Sequence, residues 1–176
     1  LKESFPRLHD DLVKLAYASY IAELTDEMTE EGDGDQAVFD MLLVYMRVLS
    51  ETLDPQLITC AFEIKFATML GYRPRLESCS ECGCETFGRE VFFSPEAGGL
   101  ICNECSLGNS GLSRVSRGAV RVLEALLMTE FAKIERIKAN PGIRREIEKL
   151  IRAHLGFRLN RRLRSIDFLE AVTKTP

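Results

Sequence analysis

Four of the six cysteines in the 176 residues form two Cys-x-x-Cys pairs, Cys79-Ser80-Glu81-Cys82 and Cys102-Asn103-Glu104-Cys105, with nineteen residues between the inner members. Each pair aims two thiolates at one point, and two such knuckles complete the tetrahedron of sulfurs that Zn²⁺ accepts without strain. Gly83 lets the chain curl after the first knuckle, and Gly98-Gly99 allow tight turns before the second. Disulfides would need an oxidising compartment, which a chain with no visible secretory segment does not imply. A redox Cys-x-x-Cys belongs in a βαβ setting, and none is legible here. A catalytic zinc keeps a coordination position open, whereas four thiolates close the shell, so the expected metal is a structural Zn²⁺ on Cys79, Cys82, Cys102 and Cys105. Cys84 is a third thiol beside the first knuckle and competes with Cys82, which is favoured for its spacing and following glycine. Cys60 falls in a helical pattern and reads as a small buried apolar residue.

The elements that must carry these knuckles are mostly helices. Ser4-Phe5-Pro6 opens a helix expected to run to about Met28, with Leu8, Leu12, Ala16, Tyr20 and Leu24 on one stripe and His9 on the same side as a core or boundary residue. An acidic, glycine-punctuated linker follows at 30–35. A second helix carries Val38, Phe39, Leu42, Leu43, Met46 and Leu49 over so wide an arc that it is expected in the middle of a bundle. Asp54-Pro55 caps a third, which ends at Gly71. Short strands at 90–93 and 99–101 make the hairpin of the ribbon, and 108–111 reads as a plain loop. Ser113 or Ser116 caps a fourth helix, Asn140-Pro141 opens a fifth, and the segment ending Ser165-Ile166-Asp167-Phe168-Leu169 is a sixth, short one. The expected fold is therefore mainly α: a helical bundle of about six helices over 1–75 and 107–176, with a four-cysteine zinc ribbon, a small β-hairpin, inserted at 76–106.

Charge is divided along the chain. The net −4 comprises −9 over residues 1–57, −3 over 58–113, +9 over 114–164 and −1 over 165–176. In the basic part Arg145, Lys149 and Arg152 stand at i, i+4 and i+7 on one helix, and Arg158, Arg161, Arg162 and Arg164 crowd into seven residues. Both groups are candidates for phosphate or for an acidic partner segment, with a solvated helical face as the plainer reading. No glycine-rich phosphate loop, nucleophile elbow or paired histidine and carboxylate is present, which argues against an enzyme. No apolar run approaches the ~20 residues that span a membrane, and the expected location is cytoplasmic.

These residues together resemble the C-terminal part of the RecO family of bacterial DNA-repair proteins. The likeness covers about residues 5–170: the Leu8 to Tyr20 helix with Glu23-Leu24, Phe62-Glu63-Ile64-Lys65 leading to Leu70-Gly71-Tyr72-Arg73-Pro74, and Cys79-x-x-Cys82-Gly83 with Phe93, Gly98-Gly99 and Cys102-x-x-Cys105. It closes with His154-Leu155-Gly156 and Leu163-Arg164-Ser165-Ile166-Asp167-Phe168-Leu169. The resemblance implies a non-enzymatic recombination mediator. Such a protein works with RecR to load RecA on single-stranded DNA coated by single-strand-binding protein, recognises the C-terminal tail of that protein, and anneals complementary strands. It also implies an N-terminal OB-fold domain, which is expected to be absent here. The competing expectation is a protein-only adaptor that uses the ribbon and bundle as a scaffold and never touches DNA.

Overall fold

Asp11 sets where the first long helix begins. Its backbone is extended (φ −124°, ψ 105°) and its carboxylate accepts the N–H groups of Val13 and Lys14 at 3.0 and 3.1 Å, meeting the first unpaired donors of α2 (Leu12–Met28). The helix expected as one piece from Pro6 is therefore split, with α1 (Pro6–His9) as a separate turn. The break moves Leu12 and His9 out of the apolar stripe. Leu12 is 58% exposed, and His9 is exposed rather than at the core.

The computed structural model describes residues 5–29, 36–88, 90–159 and 162–173. After α2 come α3 (Gln36–Glu51), α4 (Pro55–Met69), strands β1 (Val91–Ser94), β2 (Gly99–Cys102) and β3 (Ser113–Val115), α5 (Arg117–Met128), a 3-10 turn (Phe131–Arg136), α6 (Pro141–Gly156) and α7 (Arg164–Thr173). The result is a mainly helical fold with a small antiparallel sheet, and the six longer helices match the expected bundle. Asp54, Ser116 and Asn140 cap α4, α5 and α6 through their side chains, Ser116 and not Ser113 serving α5. At the end of α4 the N–H of Tyr72 reaches the carbonyl of Ala67 and that of Gly71 reaches Thr68, a left-handed Schellman closure with Gly71 at φ +83°.

The centre of the bundle is α4, not α3 as the sequence pattern predicts. Ten of the fifteen residues of α4 are buried, and it packs against α2, α3, α5, α6 and the 3-10 turn. In α3 only Val38, Tyr45 and Leu49 are buried, and Phe39 is 51% exposed. Apolar width on the helical wheel fails to rank the two because α4 turns polar groups inward, Thr59 toward Tyr45 and Glu63 toward Tyr20. Tyr45 on α3 shares a 2.9 Å hydrogen bond with Thr59, and its ring meets Phe62 at 4.9 Å. Each such fully buried large side chain contributes about 1.5–3 kcal/mol of apolar burial.

The sheet has the order β2-β1-β3, with Val91 opposite both Cys102 and Val115. The third strand lies beyond the expected hairpin, in a Ser-Arg-Val stretch too short for a periodicity signal. Along the other edge of β2, the N–H of Arg75 donates to the carbonyl of Gly98 and its carbonyl accepts the N–H of Leu100, both at 2.9 Å. Gly99 is required by this approach, since a Cβ there would lie 2.4 Å from the carbonyl oxygen of Arg75. Val91, Phe93 and Leu100 join one core with the helices.

One carboxylate, Glu63, is fully buried inside this core. It accepts the Tyr20 hydroxyl at 2.5 Å and lies 4.0 Å from Arg152, whose guanidinium also pairs with Glu148 at 2.6 Å. Burial pushes the Glu63 carboxyl up to about 7, against the pull of Arg152 and Tyr20, while Glu148 competes for the same cation. Its folded-state value thus exceeds the unfolded one of about 4.3, so the native state holds the proton more tightly and stability declines as pH rises from about 4.5 to 7. We expect that segment of the decline to be absent in Glu63→Gln. Urea midpoints taken every half pH unit for both proteins measure it.

Candidate metal centre and basic surface

The first knuckle is a tight turn held by its own backbone. The N–H of Cys79 donates to the carbonyl of Cys84 at 2.8 Å, and Gly83, at φ +75°, donates back to the carbonyl of Cys79 at 2.9 Å. The second knuckle begins where β2 ends, which fixes Cys102 to the sheet. Two amides then point at sulfur: Cys102 N–H to Cys79 Sγ at 3.4 Å and Cys105 N–H to Cys102 Sγ at 3.5 Å. Amides aimed at sulfur stabilise thiolates, the form that binds metal.

The sulfurs of Cys79, Cys82, Cys84 and Cys102 all lie within 4.8 Å of one another. Cys82 and Cys102 are 3.8 Å apart, the edge of a tetrahedron of sulfurs at the ~2.3 Å Zn–S distance. Three of the four ligands expected from sequence are thus in this group, joined by Cys84. The remaining one, Cys105, is outside this group of four and adjoins it through its N–H on the Cys102 sulfur at 3.5 Å. Cys60 is in the α4 core, away from the cluster, and burial pushes its thiol up.

Charge in the cluster is unevenly held. Burial acts to raise the Cys79 thiol, but the backbone N–H groups of Cys82, Cys102 and Glu81 outweigh it and bring the thiol down to about 6. The Cys105 amide lowers Cys102. Hydrogen bonding with the Cys82 thiol pushes Cys84 up to about 12, and that with Cys102 pushes Cys105 up. Two anionic sulfurs are stabilised while their neighbours resist ionising, and a divalent cation is what allows four thiolates together. The soft, closed donor set suits a structural ion.

The ribbon is fastened to the bundle by His154 and Arg158 of the α6 end. The carbonyl of Tyr72 can only accept, so His154 Nε2–H donates to it at 2.7 Å, and Nδ1 accepts from Arg158 Nη1 at 3.2 Å. The same guanidinium donates to the carbonyls of His154 and Pro95 and lies 5.4 Å above the Tyr72 ring. Phe93 meets the imidazole edge-on at 5.7 Å. Burial, and then the charge of Arg158, bring His154 down to about 4, so it is neutral near pH 7.

The basic residues read from the sequence do not form one ridge. Arg145 and Lys149 are exposed on α6, but Arg152 turns inward to Glu148 and Glu63 and stacks over Tyr20 at 5.2 Å. Arg158 belongs to the ribbon seam. Arg162 pairs with Asp167, and Arg161 lies outside the described residues. Arg164 is exposed at the start of α7, where Glu23 of α2 accepts the backbone N–H groups of Arg164 and Ser165 at 3.0 and 2.7 Å and caps the helix. Between α2, α6 and α7 lies a cavity of about 280 Å³ with Leu155, Leu159, Leu163 and Ile166 in its walls and Arg152 and Arg162 among them. The sequence pattern reveals neither this groove nor the inward turn of Arg152. A lone Glu63 in an apolar helix was the available signal for a buried cationic partner.

Residues 9–167 match the family described as Recombination protein O C terminal. The chain belongs to the RecO family. It is 36% identical over 174 residues to the DNA repair protein RecO of Pelotomaculum thermopropionicum, covering 99% of this chain and 67% of that protein. The corresponding protein of Symbiobacterium thermophilum is 34% identical over 173 residues (97% and 68%), and that of Moorella thermoacetica 36% over 174 residues (98% and 64%). The chain therefore spans about two thirds of the length of these relatives. Among its described residues no helix is long and apolar enough to cross a membrane.

The seam makes a direct prediction. Arg158→Ala leaves the Pro95 carbonyl without its side-chain donor and exposes the imidazole, a loss of about 1–3 kcal/mol. Amides of β1 and β2 should exchange faster while those of α4 are unchanged in hydrogen-exchange mass spectrometry. Acid should act on the wild type in the same place. The folded pKa of His154 is depressed, so its contribution is present above about 6.5 and is lost as pH falls toward 4.

Proposed function

We propose that this chain is the helical, metal-bearing part of a non-enzymatic recombination mediator of the bacterial cytoplasm. With RecR it helps load RecA on single-stranded DNA coated by single-strand-binding protein, and it takes part in annealing complementary strands. The family match over residues 9–167 carries this reading. Zn²⁺, held by the cysteine cluster, supplies a closed structural centre that ties the two knuckles together.

Two surfaces divide the partners. The groove between α2, α6 and α7 combines an apolar wall with arginines, which suits the acidic, hydrophobically anchored C-terminal tail of single-strand-binding protein. Arg162 is available to such a tail because its pair with Asp167 is exposed, and exposed pairs are worth only about 0–1 kcal/mol. Arg162→Ala should weaken the tail peptide several-fold in titration calorimetry, whereas Arg7→Ala on the far N-terminal turn should not change it. Equal affinity across these variants would refute the groove.

Arg145 and Lys149 form the part of the basic helix left to solvent and are assigned to the phosphate backbone. Each phosphate neutralised on a single strand contributes about −0.7 to the slope of log K against log salt. Arg145→Ala with Lys149→Ala should flatten that slope by one to two contacts in fluorescence anisotropy, without change in helical content. A protein-only adaptor is the second reading, favoured by the internal engagement of Arg152 and Arg158. It predicts no strand binding even at low salt.

A further inference from the structure

The metal centre holds more thiols than a metal needs. We propose that Cys79, Cys82 and Cys102 are permanent ligands and that Cys84 and Cys105 are alternative occupants of the fourth position. This rests on the zinc reading above and concerns which of this chain's own residues complete the shell.

Three observations separate the permanent from the alternative ligands. Cys79 and Cys102 are buried, and each sulfur receives a backbone N–H, from Cys102 and Cys105 respectively. Cys82 lies at the 3.8 Å tetrahedral edge from Cys102. Cys84 and Cys105 lie on opposite knuckles, both half-buried while Cys82 is exposed; the Cys84 sulfur is within 4.8 Å of the other three, and Cys105 is drawn to Cys102 by its own N–H on that sulfur at 3.5 Å. Cys84 is built into the first turn through its carbonyl, which accepts the Cys79 N–H at 2.8 Å, so its approach is a property of the backbone and not of a wandering side chain. Among the described residues outside the cluster its sulfur has a 3.7 Å contact with the Thr86 carbonyl, too weak to retain it there.

Four sulfurs with edges of about 3.8 Å fill the shell of a tetrahedral zinc, and a fifth cannot be bound at ~2.3 Å. One of the two marginal thiols must stand aside. Space for this exists, because a cavity of about 480 Å³ beside Cys84 and Cys102, bordered by Thr86, Gly88, Glu90 and Asn103, opens next to the centre. The displaced thiol stays within reach and can return as the other leaves.

Single and double serine variants test the assignment. The probe is Co²⁺ exchanged into the purified full chain. The thiolate-to-metal absorption counts bound sulfurs, and zinc per chain is measured separately. The expected result is that Cys84→Ser and Cys105→Ser each retain one metal with four-thiolate absorption, while the double variant loses about a quarter of it. Circular dichroism of the helices shows whether a variant has folded. A quarter lost in either single variant alone would mean a fixed ligand set and would overturn the proposal. So would labelling of Cys84 or Cys105 by iodoacetamide in the zinc-loaded partner variant, since each should be metal-protected when the other is serine. A wild type that binds no zinc or Co²⁺ would instead refute the zinc reading itself.

Discussion

A carboxylate enclosed on every side constrains this structure more than any other group. Glu63 is in the middle of α4, and α4 is surrounded by α2, α3, α5 and α6. A charge there must be neutralised or shared, because isolated ions in protein interiors cost several kcal/mol. The protein supplies Tyr20 from α2 and Arg152 from α6, so three helices meet at one polar point within an apolar core. Arg152 also pairs with Glu148, and burial keeps Glu63 a weak acid despite the charge of Arg152. The packing order of the bundle and the protonation of its centre are therefore one problem with one solution.

The same use of a basic side chain for architecture recurs at the end of α6. Arg158 and His154 bind the turn after α4 to the loop after β1, joining ribbon and bundle over a neutral imidazole. The ribbon thus has two kinds of support. The thiol cluster closes its outer end, and the seam with Phe93 and Leu100 in the shared core holds its inner end. Metal and bundle can each order a different part of it.

This architecture limits what the excess positive charge of the C-terminal half can do. Two of the basic residues that the linear pattern groups together hold the protein together, and the other described ones are distributed between α6, the start of α7 and the groove edge. Beside the apolar cavity only Arg162 is left on the surface, while Arg145 and Lys149 are exposed elsewhere on α6, so the described basic residues do not make a long continuous phosphate track.

Local chemistry was legible in the sequence wherever it depends on neighbours along the chain. The caps at Asp54, Ser116 and Asn140, the closure at Gly71, the two knuckles and the hairpin turn at Gly98 follow from residue type and spacing, because their partners lie within a few residues. Asp11 could have been read in the same way and was hidden by an apolar stripe that continues across it. Only the tertiary structure decided which helix is central, that β3 joins the sheet, that Arg152 and Arg158 face inward and that Cys84 reaches the cluster. These depend on contacts between residues far apart in sequence, from Glu23 with Ser165 to Glu63 with Arg152, and periodicity along one element cannot say what stands opposite it.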